Sequence, residues 1–179
     1  MKQKNMNIVI AINHTYVRYS YVMLTSLLLN NDRPIHVYVL YRDLTLDDKT
    51  VFSTLSDQYN VTFHFCYVRD DLLPSPEVAS NSWGIETYFR LSISDLLPKE
   101  LDRALYIDSD MIINASLDEF YFCELGDKKI AACNDYISTA PFGDYRDELF
   151  SSVISKDFVY FNAGLTLFSL DALRSDYNF

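Results

Sequence analysis

Glycine is scarce in this chain: 179 residues carry only Gly84, Gly126, Gly143 and Gly164. None follows the first apolar stretch, where Ala11, Ile12, Asn13, His14, Thr15 and Tyr16 stand. A G-x-G-x-x-G dinucleotide cradle and a Walker loop are therefore both excluded. Positive charge is also in short supply, with 15 Lys and Arg against 25 Asp and Glu and a formal net charge of −10. A sequence-independent grip on nucleic acid needs a basic patch, so nucleic acid is not an expected partner. An anionic small ligand survives that argument, because charge beyond a Debye length of roughly 8 Å is largely screened and a bound divalent cation reverses the local field.

Cysteine is limited to Cys66, Cys123 and Cys133, with no C-x-x-C pair. That set fits neither a disulfide framework nor a zinc knuckle, and the expectation is buried thiols in a reducing compartment. Long hydrophobic runs are missing as well. Ile8 to Ile12 is too short for a signal segment or a membrane span, and Tyr21 to Leu29 is broken by Thr25 and Ser26. A cytoplasmic protein is the expectation.

What the chain has in quantity is apolar and aromatic side chain: 49% hydrophobic residues, 14 Tyr and 12 Phe. That load suits one globular domain spanning 1–179 and argues against disorder. Asn7 to Ile12 is a β-branched apolar run and reads as a buried strand. Val17, Tyr21, Leu24 and Leu28 follow at steps of four, three and four, the spacing of a one-faced helix. Ile35 to Tyr41 gives a second strand, and Thr45 with Asp48 forms an N-terminal capping pattern before a helix bearing Phe52, Leu55 and Tyr59. Val61 to Tyr67 supplies a third strand. Leu73 to Ser82 reads as a loop, Thr87 to Leu97 as a helix ended by Pro98, and Ile137 to Asp157 as irregular surface or a short helix. Further strands are expected at Arg103 to Ile107, Ile130 to Cys133 and Leu165 to Phe168, with a helix beginning at Leu170 to Arg174. The alternation implies an α/β fold with a mostly parallel sheet covered on both faces.

Ligands of such sheets sit beyond the carboxyl ends of the strands. There the sequence places Asp108-Ser109-Asp110, between the apolar runs Leu105-Tyr106-Ile107 and Met111-Ile112-Ile113. Two carboxylates leaving a core are costly unless they are paired, solvated or bound to a cation. Hard oxygen donors suit Mg²⁺ or Mn²⁺, which keep positions for phosphate oxygens. The bland alternative is a solvated Asp-Ser-Asp turn. An EF-hand reading fails because Ile112 and Ile113 stand where a ligand and the turn glycine are needed. A haloacid-dehalogenase-like phosphohydrolase, with Asp108 as nucleophile, is a rival that Met111 and Ile112 fit poorly.

Leu105 to Ile113 taken with Tyr160-Phe161-Asn162-Ala163-Gly164, the opening Ile8-Val9-Ile10-Ala11 and Thr87-Tyr88-Phe89-Arg90-Leu91 resemble glycosyltransferase family 8 across essentially the whole chain. The resemblance implies a GT-A, Rossmann-like fold and a Mn²⁺ or Mg²⁺ ion. It also implies retaining transfer of a hexose, galactose or glucose, from a UDP-sugar to a saccharide or glycolipid acceptor. Asp108 and Asp110 match the family's metal pair, with Ser109 between them. Ala11, Asn13, Thr15 and Tyr16 match its uracil and ribose loop, Tyr16 as a stacking platform. Arg90 matches the arginine that contacts the donor near its diphosphate, and Asp135 and Asn162 match polar residues that hold the transferred sugar.

Structural alternatives stay open: Tyr16 as the first core residue of the first helix, Arg90 as a snorkelling cation, Asn162 and Gly164 as turn and packing residues, Asp135 as a strand-end carboxylate. A noncatalytic nucleotide-sugar-binding module is a third functional alternative. Two departures from the family stand out: Asn13 replaces an aspartate common in relatives, and the family's third metal ligand, in a His-x-x-Gly-x-x-Lys segment, has no counterpart here. The chain is therefore expected to be a C-terminally truncated domain that binds metal weakly alone, any peripheral membrane association being left to the missing part.

Overall fold

The computed structural model describes residues 5–73, 84–134 and 161–176. The expectations for Pro74 to Ser82, Asp135, Ile137 to Asp157 and Tyr160 lie outside those residues. Among the described residues the strands are β1 (Met6–Ala11), β2 (Ile35–Tyr41), β3 (Val61–Tyr67), β4 (Arg103–Ile107), β5 (Ile130–Asn134) and β6 (Phe161–Ser169). The helices are α1 (Val17–Leu29), α2 (Leu46–Ser56), α3 (Ile93–Leu96), α4 (Asp118–Tyr121) and α5 (Leu170–Asp176). The six strands form one sheet in the order β3-β2-β1-β4-β6-β5. Strands β1 to β4 are mutually parallel, β6 is antiparallel to both its neighbours, and the mostly parallel sheet is as expected.

Strand parity splits the core between the two faces. Ile8, Ile10, Val37, Val39, Leu105 and Ile107 share one cluster with Met23, Leu24 and Leu27 of α1 and Phe52 and Leu55 of α2. Val9, Tyr38, Leu40, Ala104 and Tyr106 face the other way, toward Phe89, Ile93, Leu97 and Leu170. Both faces of the central strands are dry, which explains why β1 and β4 read as continuous apolar runs rather than alternating ones.

Several local expectations are revised. The Thr87–Leu97 helix is a 3-10 helix over Ile85–Ser92 followed by α3. The Thr87 carbonyl there accepts from Arg90 Nε at 2.9 Å, and packing needs only Phe89 and Ile93 buried, which tighter winding also delivers. α2 stops at Ser56, so Tyr59 reaches the core from beyond its end. β6 begins four residues earlier than its apolar pattern suggested, at Phe161. The cysteines are free thiols, yet Cys66 and Cys123 are half-buried and Cys133 is exposed, so full burial is not their common state. His36 and His64 stack side by side on β2 and β3, with Nδ1 of the first 3.0 Å from Nε2 of the second, as structural strand residues.

The first site loop is tied to the second helix. Asn13 caps a 3-10 turn at His14–Tyr16 by accepting from the Tyr16 N–H, and His14 Nδ1 lies 2.9 Å from the Asp48 carboxylate. Asp48 also accepts from the Thr45 backbone N–H, closing the capping box of α2. The hydrogen bond and charge of Asp48 raise the His14 pKa against a smaller opposing effect of burial. Burial pushes Asp48 up, but His14 and Thr45 together outweigh it and the net shift is downward. A raised histidine stabilises fully below its unfolded value of about 6.5 and loses that contribution as pH climbs past the folded value, while ionised Asp48 needs a pH above about 4. His14→Ala should therefore lower the urea midpoint more at about pH 6 than at about pH 9. Equal losses at the two values would contradict this coupling.

Candidate active site

Strands β2 and β3 extend to one side of β1, and β4 lies on the other, so the chain reverses its direction of winding between β1 and β4. In open α/β sheets the crevice beyond the carboxyl ends at such a reversal is the usual ligand position. A cavity of about 410 Å³ opens there, lined by Ala11, Ile12, Asn13 and Tyr16 after β1, by Gly84, Glu86, Thr87 and Arg90 from the 3-10 segment, and by Tyr106 and Asp108 to Asp110 at the end of β4. A larger hollow of about 660 Å³ sits around Asn5, His36, Arg103 and Tyr121, at the opposite ends of these strands. Its position at the amino ends, with Arg103 committed to the Tyr121 and Cys123 carbonyls, makes it the weaker candidate.

Asp108 is held at several points. Its backbone N–H donates to the Gly164 carbonyl at 2.8 Å. Oδ1 accepts from the Tyr106 hydroxyl at 2.7 Å and from Arg90 Nη2 at 3.1 Å. Arg90 is fixed in turn: Nη1 donates to the Ala163 carbonyl at 2.7 Å, and the guanidinium carbon lies 4.3 Å from the centre of the Tyr106 ring. The Ala163 carbonyl is available because β5 and β6 lose register there, Ala132 pairing with Thr166 while Cys133 pairs with Asn162. Irregularities of this kind re-aim groups beside active sites. Burial above all keeps the Tyr106 phenol well above the ordinary tyrosine range, so it acts as a hydrogen-bond donor.

Gly164 is required by proximity, since its φ is not positive. A Cβ there would lie 2.7 Å from Asp108 Oδ2 and 3.0 Å from Asn162 Oδ1. Asn162 Oδ1 also accepts from the Gly164 N–H at 2.8 Å, so the Asn162 side chain reaches the vicinity of the Asp108 carboxylate although it does not line the cavity. The turn-and-packing alternative for Asn162 and Gly164 thus describes real contacts, and those contacts are with the site.

The charge balance supports a cation. Among the described residues, Asp108, Asp110 and Glu86 line the cavity with one guanidinium, and Asp110 and Glu86 make no ion pair. A diphosphate would meet a surplus of negative charge, which a divalent ion reverses. Two carboxylates with room for phosphate oxygens match the habits of Mg²⁺ and Mn²⁺. Among the described residues no group of three His, Cys, Asp or Glu is placed to hold a metal ion together. Ser109, 6% exposed, carries the one buried side-chain polar atom without a partner among the described residues, an unmet hydroxyl between the two carboxylates. A buried polar group without a partner calls for an explanation, and a bound ion or water is one. The residues present fit a bound divalent cation.

Of the residues singled out from sequence, Ala11, Asn13, Tyr16, Arg90, Asp108, Ser109 and Asp110 line this one cavity. Tyr16 is 43% exposed, which removes its reading as a core residue. Arg90 does not snorkel, since its side chain is 15% exposed and bonded inward. Thr15 and Asn162 do not line it: the Thr15 hydroxyl donates to Asn13 Oδ1 at 2.7 Å and supports the loop, and Asn162 Oδ1 accepts from the Gly164 N–H. Glu86, Gly84, Thr87 and Tyr106 were not anticipated. Only Tyr106 had a legible signal, its position two residues before Asp108 on the same strand face.

A family model described as glycosyl transferase family 8 matches residues 7–177. The chain belongs to that family. A Haemophilus influenzae protein whose name assigns it provisionally to the glycosyltransferases is 27% identical over 174 residues, 97% of this chain and 51% of the relative. The lipopolysaccharide 1,3-galactosyltransferase of Salmonella typhimurium is 28% identical over 127 residues, covering 70% of this chain and 37% of the enzyme. The solved galactosyltransferase LgtC, in complex with donor and acceptor sugar analogues, superposes with a TM-score of 0.81 at 24% identity, over 95% of this chain and 60% of its own. This likeness establishes the GT-A fold. The chain spans about half or less of the length of these curated relatives. Membership in family 8 sets aside the haloacid-dehalogenase alternative. No helix among the described residues of this family 8 chain is long and apolar enough to cross a membrane.

Because the Gly164 backbone abuts Asp108, Gly164→Ala is expected to keep the fold at a cost of roughly 1–3 kcal/mol and to turn the carboxylate off its donors. Thermal melting with Mn²⁺ titration checks this, and unchanged cation affinity would contradict it.

Proposed function

We propose that this chain forms the donor-binding part of a metal-dependent, retaining hexosyltransferase that moves galactose or glucose from a UDP-sugar to a saccharide or glycolipid acceptor. The observation that carries the proposal is the meeting of Asp108, Asp110 and Arg90 in the crevice between β1 and β4. Asp108 and Asp110 are the proposed holders of Mn²⁺ or Mg²⁺. When bound, that ion supplies positive charge to the leaving diphosphate, a contribution of several kcal/mol in a shielded site. Arg90 adds a fixed second positive group, already oriented by Tyr106 and the Ala163 carbonyl.

The exposed Tyr16 ring offers a stacking face for uracil, and Ala11 and Asn13 border the nucleoside end of the cavity, with Thr15 bracing Asn13. Asn162, beside the Asp108 carboxylate, is assigned to the transferred sugar. Asp135 is proposed for the same role on the family resemblance alone. A role in lipopolysaccharide assembly draws on the name of the Salmonella relative. A cytoplasmic setting is supported by the three free thiols, which are typical of reducing compartments.

Calorimetry on the full-length protein tests the binding claim. UDP affinity is expected to depend on Mn²⁺ and to fall by at least about tenfold, or 1.4 kcal/mol, in Asp108→Ala or Asp110→Ala. Metal-independent UDP binding that survives in both variants would count against the proposal. A panel of UDP-sugars scored by UDP release tests the turnover claim. Tight binding without release for any hexose donor would instead favour the noncatalytic module.

A further inference from the structure

Within the cation-binding reading just proposed, one side chain touches both halves of the machinery without being placed to touch a ligand first. Tyr106 is 2% exposed and lies in the second core cluster with Phe89 and Ile93. Its hydroxyl reaches Asp108 Oδ1 at 2.7 Å, and its ring face carries the Arg90 guanidinium at 4.3 Å. We infer that Tyr106 is a positioning residue that fixes the rotamer of Asp108 and the plane of Arg90 together, so that Oδ1 is spoken for and Oδ2 is left to the cation.

The bond count favours this assignment. A carboxylate oxygen has two lone pairs, and those of Oδ1 are met by the Tyr106 hydroxyl and by Arg90 Nη2 at 3.1 Å. Oδ2 lies instead over the bare Cα of Gly164, where a methyl group would crowd it at 2.7 Å. A carboxylate with one oxygen saturated by fixed donors cannot swing to chelate or to turn away. Ordering it beforehand removes an entropic cost that cation binding would otherwise carry. Arg90 needs the same help, since a guanidinium beside a negative pocket would otherwise be drawn toward Asp110 or Glu86. Its stacking on the Tyr106 ring, with the Ala163 bond at 2.7 Å, holds it at Asp108.

Groups that orient metal ligands typically alter metal affinity by about 10- to 100-fold when removed. The test uses full-length protein and Mn²⁺ alone, with free Mn²⁺ read by electron paramagnetic resonance and stability by thermal melting. Tyr106→Phe keeps the ring under Arg90 and removes only the hydroxyl, and should weaken Mn²⁺ by about tenfold. Tyr106→Leu removes both contacts and should weaken it further. Tyr121→Phe is the control for losing a buried phenol: that hydroxyl serves the Asn7 backbone N–H at 2.9 Å, remote from Asp108, so the variant should melt earlier with Mn²⁺ affinity unchanged. Equal Mn²⁺ affinity in wild type and Tyr106→Phe would overturn the inference and leave the metal-dependent reading intact. Absence of Mn²⁺ binding in the wild type would remove that reading and this inference with it. A fall in affinity in Tyr121→Phe matching that in Tyr106→Phe would reduce the Tyr106 effect to general loosening and also overturn it.

Discussion

The carboxylate of Asp108 sits where three distant stretches of chain meet, and each supplies what a half-buried anion needs. β4 contributes Tyr106, the 3-10 segment contributes Arg90, and β6 contributes the Gly164 carbonyl that receives the Asp108 backbone N–H. Burying a carboxylate without such partners costs several kcal/mol. With them in place, the cost is met by contacts that also determine where the remaining oxygen faces. The register break in β6 belongs to the same arrangement, because it frees the Ala163 carbonyl for Arg90 and brings glycine against Oδ2.

From that centre the wider architecture follows. Parallel strands β1 and β4 must be dry on both faces to bring their carboxyl ends together, and the division of their residues between two core clusters provides this. The reversal of winding between them opens a crevice at their carboxyl ends. Glycine-poor loops then border a pocket in which backbone N–H groups cannot cradle phosphate as they do in glycine-rich folds. The proposed divalent ion would reconcile this negative pocket with a phosphate-bearing ligand, and the family to which the chain belongs is one of glycosyl transferases.

Much of this was legible in the linear chain because it depends on short-range pattern. The β-branched runs at Ile8 to Ile10 and Ile35 to Tyr41, the Thr45–Asp48 capping box and the Asp-Ser-Asp turn after a buried strand all write their structure locally. What was not legible depends on tertiary contact. The 3-10 winding of Ile85–Ser92 reflects packing against β1 and β2 that helical spacing cannot encode. β6 extends back to Phe161 because β5 pairs with it, although Asn162, Ala163 and Gly164 have no strand pattern. Glu86 gave no signal, since a single glutamate just ahead of the expected Thr87–Leu97 helix reads as a solvated residue, and Tyr106 was hidden among core aromatics although its strand parity with Asp108 was available.

The two carboxylates flanking Ser109 are proposed to take up a divalent ion for a phosphate-bearing ligand. Crystals of the full-length protein grown with Mn²⁺ and UDP, with diffraction recorded on both sides of the manganese absorption edge, measure this directly. A single strong anomalous peak is expected within about 2.0–2.6 Å of a carboxylate oxygen from each of Asp108 and Asp110, in contact with the diphosphate. Well-ordered UDP in the crevice with no anomalous peak beside those residues, or a peak bound elsewhere on the chain, would contradict it.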